Sequence, residues 1–416
     1  MFRSVRGMKD LYGREAEKYD FICNKFRSIG ERYGFEMIYT PLLEYTDVFS
    51  RSIGDETDVV SKEMYSFLDK GDESVTLRPE GTAGAIRAIV CEHLDQFLPV
   101  KVMYCGEMFR YDRPQKGRFR QFRQFGIEWI EEKNPYTDAI TIAIAVDCIQ
   151  SIGLFDFKVL INSLGDEETR ENYTKAIVKY LSRHEDMLSI ESQARLKKNP
   201  LRILDSKNNQ DIEICSMAPI FIDYLSKEAR LYFNKVCSLL EDYGINYEIN
   251  HFLVRGLDYY SHTAFEIQST SSSYRDALGG GGRYDRLLSV FGGQDVSGIG
   301  FAIGIERLMI LMDSLFVQKN RRKIAVIPVS ETENSFAFSV FRNLQECELP
   351  VEFIHHGNLS KKMKIADRLG CNIAILLGEN EIQDKTATVK FMNSCDAAMK
   401  TKIIKLDDII NFLRCN

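Results

Sequence analysis

The order of strand-like and helix-like segments along this chain constrains its fold more than any other feature. Residues 61–130 carry short apolar runs separated by turn residues, which indicate strands. A stretch rich in Lys, Glu and Asn at about 165–250 indicates helices instead, and strands resume from Ala264. The pattern predicts an α+β fold in which an inserted helical region interrupts a strand-rich domain.

The last quarter of the chain has a different rhythm, because strands and helices alternate regularly after a polar stretch at 317–323. Such alternation is typical of a small α/β domain. The expected elements are strand Lys323–Pro328, helix Phe336–Cys347, strand Val351–His355, helix Leu359–Leu369, strand Asn372–Leu377 and strand Thr388–Met392. We therefore predict two domains, residues 1–320 and residues 321–416.

The chain opens with an amphipathic pattern, since apolar residues recur at three- and four-residue spacing between residues 14 and 33. We predict a helix there, followed by a strand at Phe35–Thr40 that Pro41 ends. Taken alone, this segment would fit any helix packed on a sheet.

Composition narrows the classes of function. With 416 residues, 44% of them hydrophobic and 27% charged, the chain can form two or three globular domains. A formal net charge of −6 argues against coating nucleic acid through bulk charge but permits local basic patches. The ten Cys include no Cys-x-x-Cys pair, which argues against zinc-ribbon or thioredoxin chemistry. Free thiols, no signal-like N-terminus and no long apolar segment lead us to expect a cytoplasmic protein without membrane partners.

The first candidate site is the segment at residues 77–84. Pro79 and Gly81 restrict its backbone, and Glu80 and Thr82 lie where a strand passes into a helix. A carboxylate held there could bind an amine. Taken alone, however, this segment is better explained as an ordinary helix N-terminus, where Glu and Thr are favoured as caps.

The second candidate site is a basic hairpin at residues 108–128. Pro114 and Gly117 place a loop in its middle, and Gln124 and Glu128 share one face of the second strand. The density of Arg beside aromatic residues favours binding of phosphate or nucleic acid over a solvated hairpin. The basic residues are Arg110, Arg113, Lys116, Arg118, Arg120 and Arg123.

The third candidate site lies at residues 253–267. Arg255, Asp258, Tyr259 and Tyr260 stand there among apolar residues. A polar cluster so placed is either a satisfied network in the core or a binding site, and the sequence leaves both open.

The fourth candidate site is the glycine-rich segment at residues 278–311. Its glycines match neither the Walker nor the dinucleotide-binding pattern, but they allow a flat ligand to approach the backbone closely. Gly304 leads into Arg307, early in an expected helix from Ile305 to Leu315, where the guanidinium could reach a phosphate. Tight packing of helix on sheet would explain the glycines but not the arginine.

Together these segments resemble the class II aminoacyl-tRNA synthetases, and in particular the histidyl branch. The opening helix and strand up to Pro41 resemble the first motif of the class, which forms the dimer interface. Residues 108–128 resemble the second motif and residues 298–311 the third. Segments 255–260 and 281–285 resemble the two histidine-specific signatures, which are far more specific than the motifs of the class.

The resemblance implies a mostly antiparallel sheet flanked by helices, followed by an α/β anticodon-binding domain. It implies an enzyme that activates L-histidine with ATP and transfers it to tRNA(His), releasing AMP and pyrophosphate. A homodimer is expected from the first motif. Mg²⁺ is expected on the β- and γ-phosphates of ATP, with no metal site made by the protein alone.

The resemblance also implies roles residue by residue. Arg255, Arg110 and Gln124 would be catalytic. Histidine would be bound by Glu80, Gly81, Thr82, Gln124, Glu128, Tyr259 and Tyr260, and ATP by Arg110, Arg255 and Arg307. Within these sets, Glu80, Thr82 and Gln124 would hold the α-amino group, and Glu128 and Tyr260, with Tyr259 beside it, would read the imidazole.

Two basic segments are expected to contact tRNA. The loop of Gln115, Lys116, Gly117 and Arg118 would meet its acceptor end. On the expected helix of the C-terminal domain, a basic cluster would touch backbone phosphates near the anticodon stem. That cluster comprises Lys361, Lys362, Lys364 and Arg368. His262 is expected to be peripheral.

Three alternatives remain at this stage. One is a non-catalytic relative, the regulatory subunit that partners the first enzyme of histidine biosynthesis; such relatives typically lack the C-terminal domain. Another is a tRNA-sensing module like that attached to a stress kinase. This chain has no room for a kinase domain, which argues against that alternative. The third is another class II synthetase, such as the prolyl or threonyl enzyme, which the segment 255–260 disfavours.

Overall fold

The computed structural model describes residues 2–54, 57, 59–206, 208–254, 259–272, 274, 276–316, 323–392 and 401–415. The chain divides into two compact units, Met1–Val317 and Gln318–Asn416. The junction falls in the stretch 317–322, which lies outside the described residues. The boundary between residues 320 and 321 therefore stays a prediction.

The first unit contains one large sheet and one small sheet. Its strands are β1 (Glu36–Met37), β2 (Leu43–Tyr45), β3 (Tyr65–Leu68), β4 (Ser74–Leu77), β5 (Val100–Phe109), β6 (Gln121–Ile130), β7 (Phe157–Ser163), β8 (Tyr247–Ile249), β9 (Ser261–Ser269), β10 (Ala277–Tyr284) and β11 (Gly298–Gly304). Its helices are α1 (Arg14–Arg32), α2 (Thr46–Ile53), α3 (Thr82–Cys91), α4 (Pro135–Ser151), α5 (Glu167–Leu181), α6 (Ile190–Lys198), α7 (Asn209–Ser216), α8 (Lys227–Asp242), α9 (Leu287–Val290) and α10 (Ile305–Leu311).

The large sheet has the strand order β1–β5–β6–β11–β10–β9–β7–β8. Its pairs are antiparallel except at the two ends, where β1 joins β5 and β8 joins β7 in parallel. This arrangement confirms the mostly antiparallel sheet that the resemblance implied. A separate small sheet has the order β2–β4–β3.

Helices α1 and α4 cover one face of the large sheet. The predicted period of α1 is real, because Ile22, Phe26 and Ile29 are buried on one side of the helix. They pack with Phe125 and Ile127 of β6 in the main hydrophobic core. The strand after α1 is shorter than expected, since β1 holds two residues, although Ile38 still donates a backbone hydrogen bond to Met103.

The inserted region is helical, and it contributes to two cores. Helices α5, α6 and α7 enclose their own apolar cluster, which includes Tyr173, Ile177 and Phe221. Helix α8 instead buries Phe233 and Val236 in the main core against the large sheet. The region with an independent core is therefore narrower than the expected 165–250.

The second unit has a sheet of order β13–β12–β14–β15–β16, in which the first three strands are parallel and the last two pairings antiparallel. Its strands are β12 (Lys323–Pro328), β13 (Val351–Phe353), β14 (Cys371–Leu377), β15 (Thr386–Phe391) and β16 (Thr401–Lys405). Its helices are α11 (Asn334–Glu346), α12 (Leu359–Arg368), α13 (Glu379–Gln383) and α14 (Ile409–Cys415). This is the expected α/β domain.

In the part of the chain that the structure describes, no helix combines the length and the apolar character that crossing a membrane requires.

Candidate active site

A cavity of about 360 Å³ opens where β6, β10 and β11 lie side by side in the large sheet. The four segments singled out in the sequence all contribute to its wall. Expected site residues in the wall are Glu80, Thr82, Arg110, Gly117, Arg118, Gln124, Tyr259, Tyr260 and Arg307. Residues more than 200 positions apart thus meet around one space, which the sequence pattern alone could not show.

Glu80 lies at the start of α3 and is buried. Its Oε2 accepts a hydrogen bond from the Thr82 amide at 2.7 Å, and its Oε1 accepts one from the Ala83 amide at 2.8 Å. Both expected roles are therefore compatible, because the carboxylate caps the helix and also faces the cavity. Burial raises the pKa of Glu80, and the two amide hydrogen bonds act against that rise.

Gln124 offers the cavity an amide whose acceptor is unused. Its Oε1 is buried and has no hydrogen-bond partner among the described residues. A buried acceptor without a partner is costly unless a ligand or water completes it. The position of Gln124 in the cavity wall makes an N–H donor of a ligand the natural partner.

Glu128 is fully buried and lies behind the cavity wall, not in it. The hydroxyl of Tyr284 donates to its Oε2 at 2.5 Å, and the hydroxyl of Tyr104 donates to its Oε1 at 3.3 Å. Burial raises the pKa of Glu128 to about 8, against hydrogen bonds led by that from Tyr284. The expectation that Glu128 reads an imidazole thus needs a ligand that reaches past the wall.

Two glycines make room for this buried group. A side chain at Gly300 would collide with the carboxylate of Glu128, and one at Gly81 would collide with the ring of Tyr104. Gly81 therefore serves the expected binding set by letting Tyr104 pack closely.

Arg110 and Arg307 bring two guanidinium groups to the same cavity. Nε of Arg110 donates to the Pro79 carbonyl at 2.8 Å, and Nη1 of Arg307 donates to the Ala277 carbonyl. Burial lowers the pKa of Arg110, while the carboxylates of Glu63 and Glu80 raise it. Since an arginine stays protonated under all ordinary conditions, Arg110 and Arg307 present two positive charges to a ligand, and Arg118 and Arg202 also line the cavity.

The tyrosine pair closes one side of the cavity. The ring centroids of Tyr259 and Tyr260 are 4.5 Å apart, and Tyr259 meets the ring of Tyr284 edge-on at 5.8 Å. Arg255, expected to be catalytic, lies in the stretch 255–258 outside the described residues.

The loop expected to bind the acceptor end of a tRNA lies at the edge of the cavity. Gln115 and Lys116 are exposed, whereas Gly117 is buried. Arg118 is within 3.6 Å of both Asp112 and Asp276. The assignment of this loop to tRNA stays a prediction.

Arg283, in the second histidine-specific segment, is a buried structural residue. Its Nε donates to Asp138 of α4 at 2.8 Å, and its Nη2 donates to Thr137 at 2.7 Å. Ser297 accepts from its Nη1 at 2.5 Å. Because the guanidinium of Arg283 is engaged in these hydrogen bonds, the second histidine-specific segment contributes to the site through Tyr284 and the backbone of β10.

His262, expected to be peripheral to the site and not a catalyst, is buried against the ring of Tyr232 and does not line the cavity. Its Nε2 is 3.1 Å from Nζ of Lys133 and 3.5 Å from Asp285. Burial lowers the pKa of His262, and Asp285 acts in the opposite direction.

Sequence reasoning missed Tyr104 and Tyr284 as partners of Glu128. Tyr104 pairs with Gly126 across β5 and β6, two residues from Glu128 along the same face. A correct register between these two strands would have pointed to Tyr104. The role of Tyr284 depends on the pairing of β10 with β11, and the glycine-rich segment hid that strand.

A family model described as histidyl-tRNA synthetase matches residues 7–308, and one described as anticodon binding domain matches residues 323–416. A histidine–tRNA ligase of Rhodospirillum rubrum is 44% identical over 391 residues, which cover 94% of each chain. One of Bacillus licheniformis is 40% identical over 423 residues and covers 100% of this chain and 99% of the relative.

Solved structures give the same picture. Apo histidyl-tRNA synthetase of S. aureus is 33% identical, matches 99% of both chains and has a TM-score of 0.83. A structure from Bacillus halodurans described as an ATP phosphoribosyltransferase regulatory subunit/histidyl-tRNA synthetase has a TM-score of 0.67 at 22% identity, and so shares the fold.

Proposed function

The chain belongs to the histidyl-tRNA synthetase family, and on that premise we propose that its cavity activates L-histidine with ATP to histidyl-adenylate and then charges tRNA(His). Histidine–tRNA ligation is the activity of the chain, and the observation that carries it is similarity over the whole length. A relative 40% identical covers 100% of this chain, including the anticodon-binding unit. The regulatory-subunit alternative is disfavoured because relatives described as histidine–tRNA ligases are 40% and 44% identical, whereas the structure whose description includes a regulatory subunit is 22% identical.

The amino end of histidine is proposed to bind between Glu80, Thr82 and Gln124. The carboxylate of Glu80 accepts two amide hydrogen bonds and lines the cavity, where it can also accept a hydrogen bond from the ammonium group. The unpartnered Oε1 of Gln124 supplies a further acceptor. Three acceptors around one ammonium orient the substrate and place its carboxylate toward the arginines.

The imidazole is proposed to be read by Glu128 and Tyr260. The buried Glu128, with its pKa raised to about 8, can be neutral or charged near neutral pH and so can pair with a ring N–H. A hydroxyl of Tyr260 can serve the other ring nitrogen, because imidazole presents a donor and an acceptor on opposite sides. A site built this way rejects apolar side chains of similar size strongly.

The chemical step is an in-line attack of the histidine carboxylate on the α-phosphorus of ATP, with pyrophosphate leaving. Negative charge develops on the phosphoryl oxygens, so fixed cations lower the barrier. Arg110 is proposed on the α-phosphate and Arg307 on the γ-phosphate, which agrees with two guanidinium groups in one cavity. The role of Arg255, on the other side of the α-phosphate, depends on the family resemblance alone.

Magnesium is proposed to enter with ATP as part of the substrate. Among the described residues, no group of three or more His, Cys, Asp or Glu side chains has the arrangement of a metal site. The ion would be held mainly by the β- and γ-phosphates, whose charge it would help to neutralise.

A homodimer is proposed through the face around the small sheet. Tyr45 of β2 and Phe67 of β3 both pair with Val75 of β4, so their side chains share one face. Tyr45 is 60% exposed, Phe67 49% and Leu43 44%. An apolar row of this kind on a monomer is typical of a protein–protein interface.

The reaction is assigned to the cytoplasm, and the free thiols of the described cysteines agree with that location.

Histidine-dependent exchange of labelled pyrophosphate into ATP tests the activation step. We expect exchange with L-histidine and none with the other amino acids. Substitution of Arg255→Ala should collapse exchange by about 10²-fold or more while the melting temperature is kept. Near-normal exchange in that variant would remove Arg255 from the catalytic set.

A further inference from the structure

Two thiols that are distant in the sequence meet behind the catalytic sheet. Cys23 lies in the middle of α1 and Cys105 in β5, and their Sγ atoms are 3.1 Å apart. Cys105 alternates with Tyr104 along β5, so it points to the face opposite the cavity, where α1 covers the sheet. Both residues are partly buried and pack against the main hydrophobic core.

The surroundings of the pair assign different roles to the two sulfurs. The hydroxyl of Tyr19 lies 3.9 Å from Sγ of Cys105. The hydrogen bond from Cys23 lowers the pKa of the Cys105 thiol, the bond from Tyr19 acts in the same direction, and burial opposes both. The hydrogen bond to Cys105 raises the pKa of the Cys23 thiol. The hydroxyl of Tyr19 beside Sγ of Cys105 favours Cys105 as the nucleophile, and Cys23 is the neighbour that can capture its oxidised form.

We propose that Cys23 and Cys105 are a site of reversible oxidation that closes to an intramolecular disulfide on exposure to a peroxide. The Cys105 thiolate attacks one peroxide oxygen, the O–O bond breaks, and the departing hydroxide takes up the proton lost by the thiol to give water. Cys23 then attacks the Cys105 sulfenic acid, forming the S–S bond as the S–O bond breaks and a second water leaves. Two thiols lose two electrons, and one peroxide gains them.

Closure needs little movement. A disulfide bond is about 2.05 Å long, so the sulfurs must approach by roughly 1 Å from their 3.1 Å separation. The bond would tie α1 to β5 across 82 residues of chain. A free thiol compound reverses it by exchange, so the site would be reduced under ordinary cytoplasmic conditions.

A short series of contacts joins the pair to the cavity. The guanidinium of Arg123 lies over the ring of Tyr19 at 5.2 Å. The backbone amide of Arg123 donates to Oε2 of Glu306 at 2.9 Å, and Glu306 lies in the cavity wall next to Arg307. Because closure removes the two S–H groups that lie beside Tyr19, we expect oxidation to lower the rate of pyrophosphate exchange by about two- to thirtyfold.

The test is mass spectrometry of the full-length protein after treatment with hydrogen peroxide and blocking of free thiols. We expect a cross-linked pair of peptides that contain Cys23 and Cys105 and that separate on addition of dithiothreitol. In Cys23→Ser, a trapping reagent should find sulfenic acid on Cys105 and no cross-link. The matched control is Cys91→Ser, which removes an exposed thiol and should leave the cross-link intact.

Other outcomes of these experiments would contradict the proposed disulfide or its coupling to the cavity. Separate over-oxidised peptides without a cross-link, or a cross-link only between other cysteines, would overturn the proposal. Protection of the pair from alkylation until a chelator is added would replace it with a bound soft metal ion. A cross-link that forms without any change in exchange would refute the coupling to the cavity. The peptide readout does not depend on ligase activity, so failure of the proposed function would not be mistaken for failure of this site.

Discussion

At the scale of single residues, Glu128 has the most unusual environment in the site. It is fully buried, two tyrosine hydroxyls donate to it, and a glycine opposite makes room for it. Burial penalises its charged form, which raises its pKa to about 8. The carboxyl group is thus held for a ligand at some cost to the stability of the empty protein.

The substitution Glu128→Gln should change how stability depends on pH. A carboxyl whose pKa is raised by folding stabilises the folded state below the unfolded pKa, and that contribution is lost as pH rises through the folded pKa. From about pH 4.5 to about 8, wild type should therefore lose unfolding free energy relative to Glu128→Gln. The slope should be at most about 1.4 kcal/mol per pH unit, measured by urea unfolding.

The control for this experiment is Glu92→Gln at the exposed end of α3. It should run parallel to wild type at every pH. A difference between wild type and Glu128→Gln that stays flat across the same range would show that burial does not raise the pKa of Glu128.

Arg307→Ala should reduce histidine-dependent exchange by about 10²-fold, because it removes the one of the four cavity-lining arginines that is proposed to bind the γ-phosphate. The Michaelis constant for ATP should rise in the same assay. Arg27→Ala, which removes an exposed guanidinium paired with Glu31, should leave exchange unchanged. Exchange in Arg307→Ala within about twofold of wild type would contradict its contact with phosphate.

At the scale of elements, helix α12 divides its basic residues between two functions. Lys361, Lys364 and Arg368 are exposed and recur at spacings that share one face. Lys362, expected to belong with them, is buried, and its Nζ donates to the Pro328 carbonyl at 2.8 Å. The predicted tRNA-binding cluster was therefore wrong for one residue, since Lys362 lies on the buried side of the helix.

Reversal of charge at Lys361, Lys364 and Arg368 should raise the Michaelis constant for tRNA and weaken its dependence on salt, because phosphate contacts are lost. Pyrophosphate exchange, which needs no tRNA, should stay the same. Lys362→Ala should instead lower the unfolding free energy by about 1–3 kcal/mol, since a buried hydrogen bond is lost. An unchanged Michaelis constant in the triple variant would exclude this face from tRNA binding.

Elements with strong periodicity were predictable from the sequence, and those without it were not. Helix α1 and strand β12 lie within one residue of the expected bounds. Strand β10 was missed because four consecutive glycines have no side chains to signal a strand. The sheet imposes the strand there through pairing with β9 and β11, which is a tertiary effect.

The site, like the fold, was only partly predictable from the sequence. Motif resemblance named residues that the fold does bring into one cavity, such as Glu80, Gln124 and Arg307. It could not show that Glu128 lies behind the wall or that Arg283 is engaged with Asp138. Burial and partner choice depend on the register between strands, and the local sequence does not encode that register.

At the scale of the whole molecule, the proposed homodimer predicts a mass in solution of about twice 47.9 kDa by light scattering at micromolar concentration. Substitution of Tyr45→Glu should shift the mass toward one chain, because it places a charge in the apolar row of the small sheet. The control Leu231→Glu changes an exposed apolar residue on α8 and should stay dimeric. A wild-type mass of about 47.9 kDa at these concentrations would contradict the dimer.

Charging of tRNA tests the central claim most directly, because it requires both units of the chain and both chemical steps. The measurement is incorporation of labelled histidine into acid-precipitable tRNA, with tRNA(His) compared with a tRNA for another amino acid. We predict ATP-dependent incorporation into tRNA(His) alone. Folded protein that leaves tRNA(His) uncharged in the presence of ATP, Mg²⁺ and histidine would contradict the assignment.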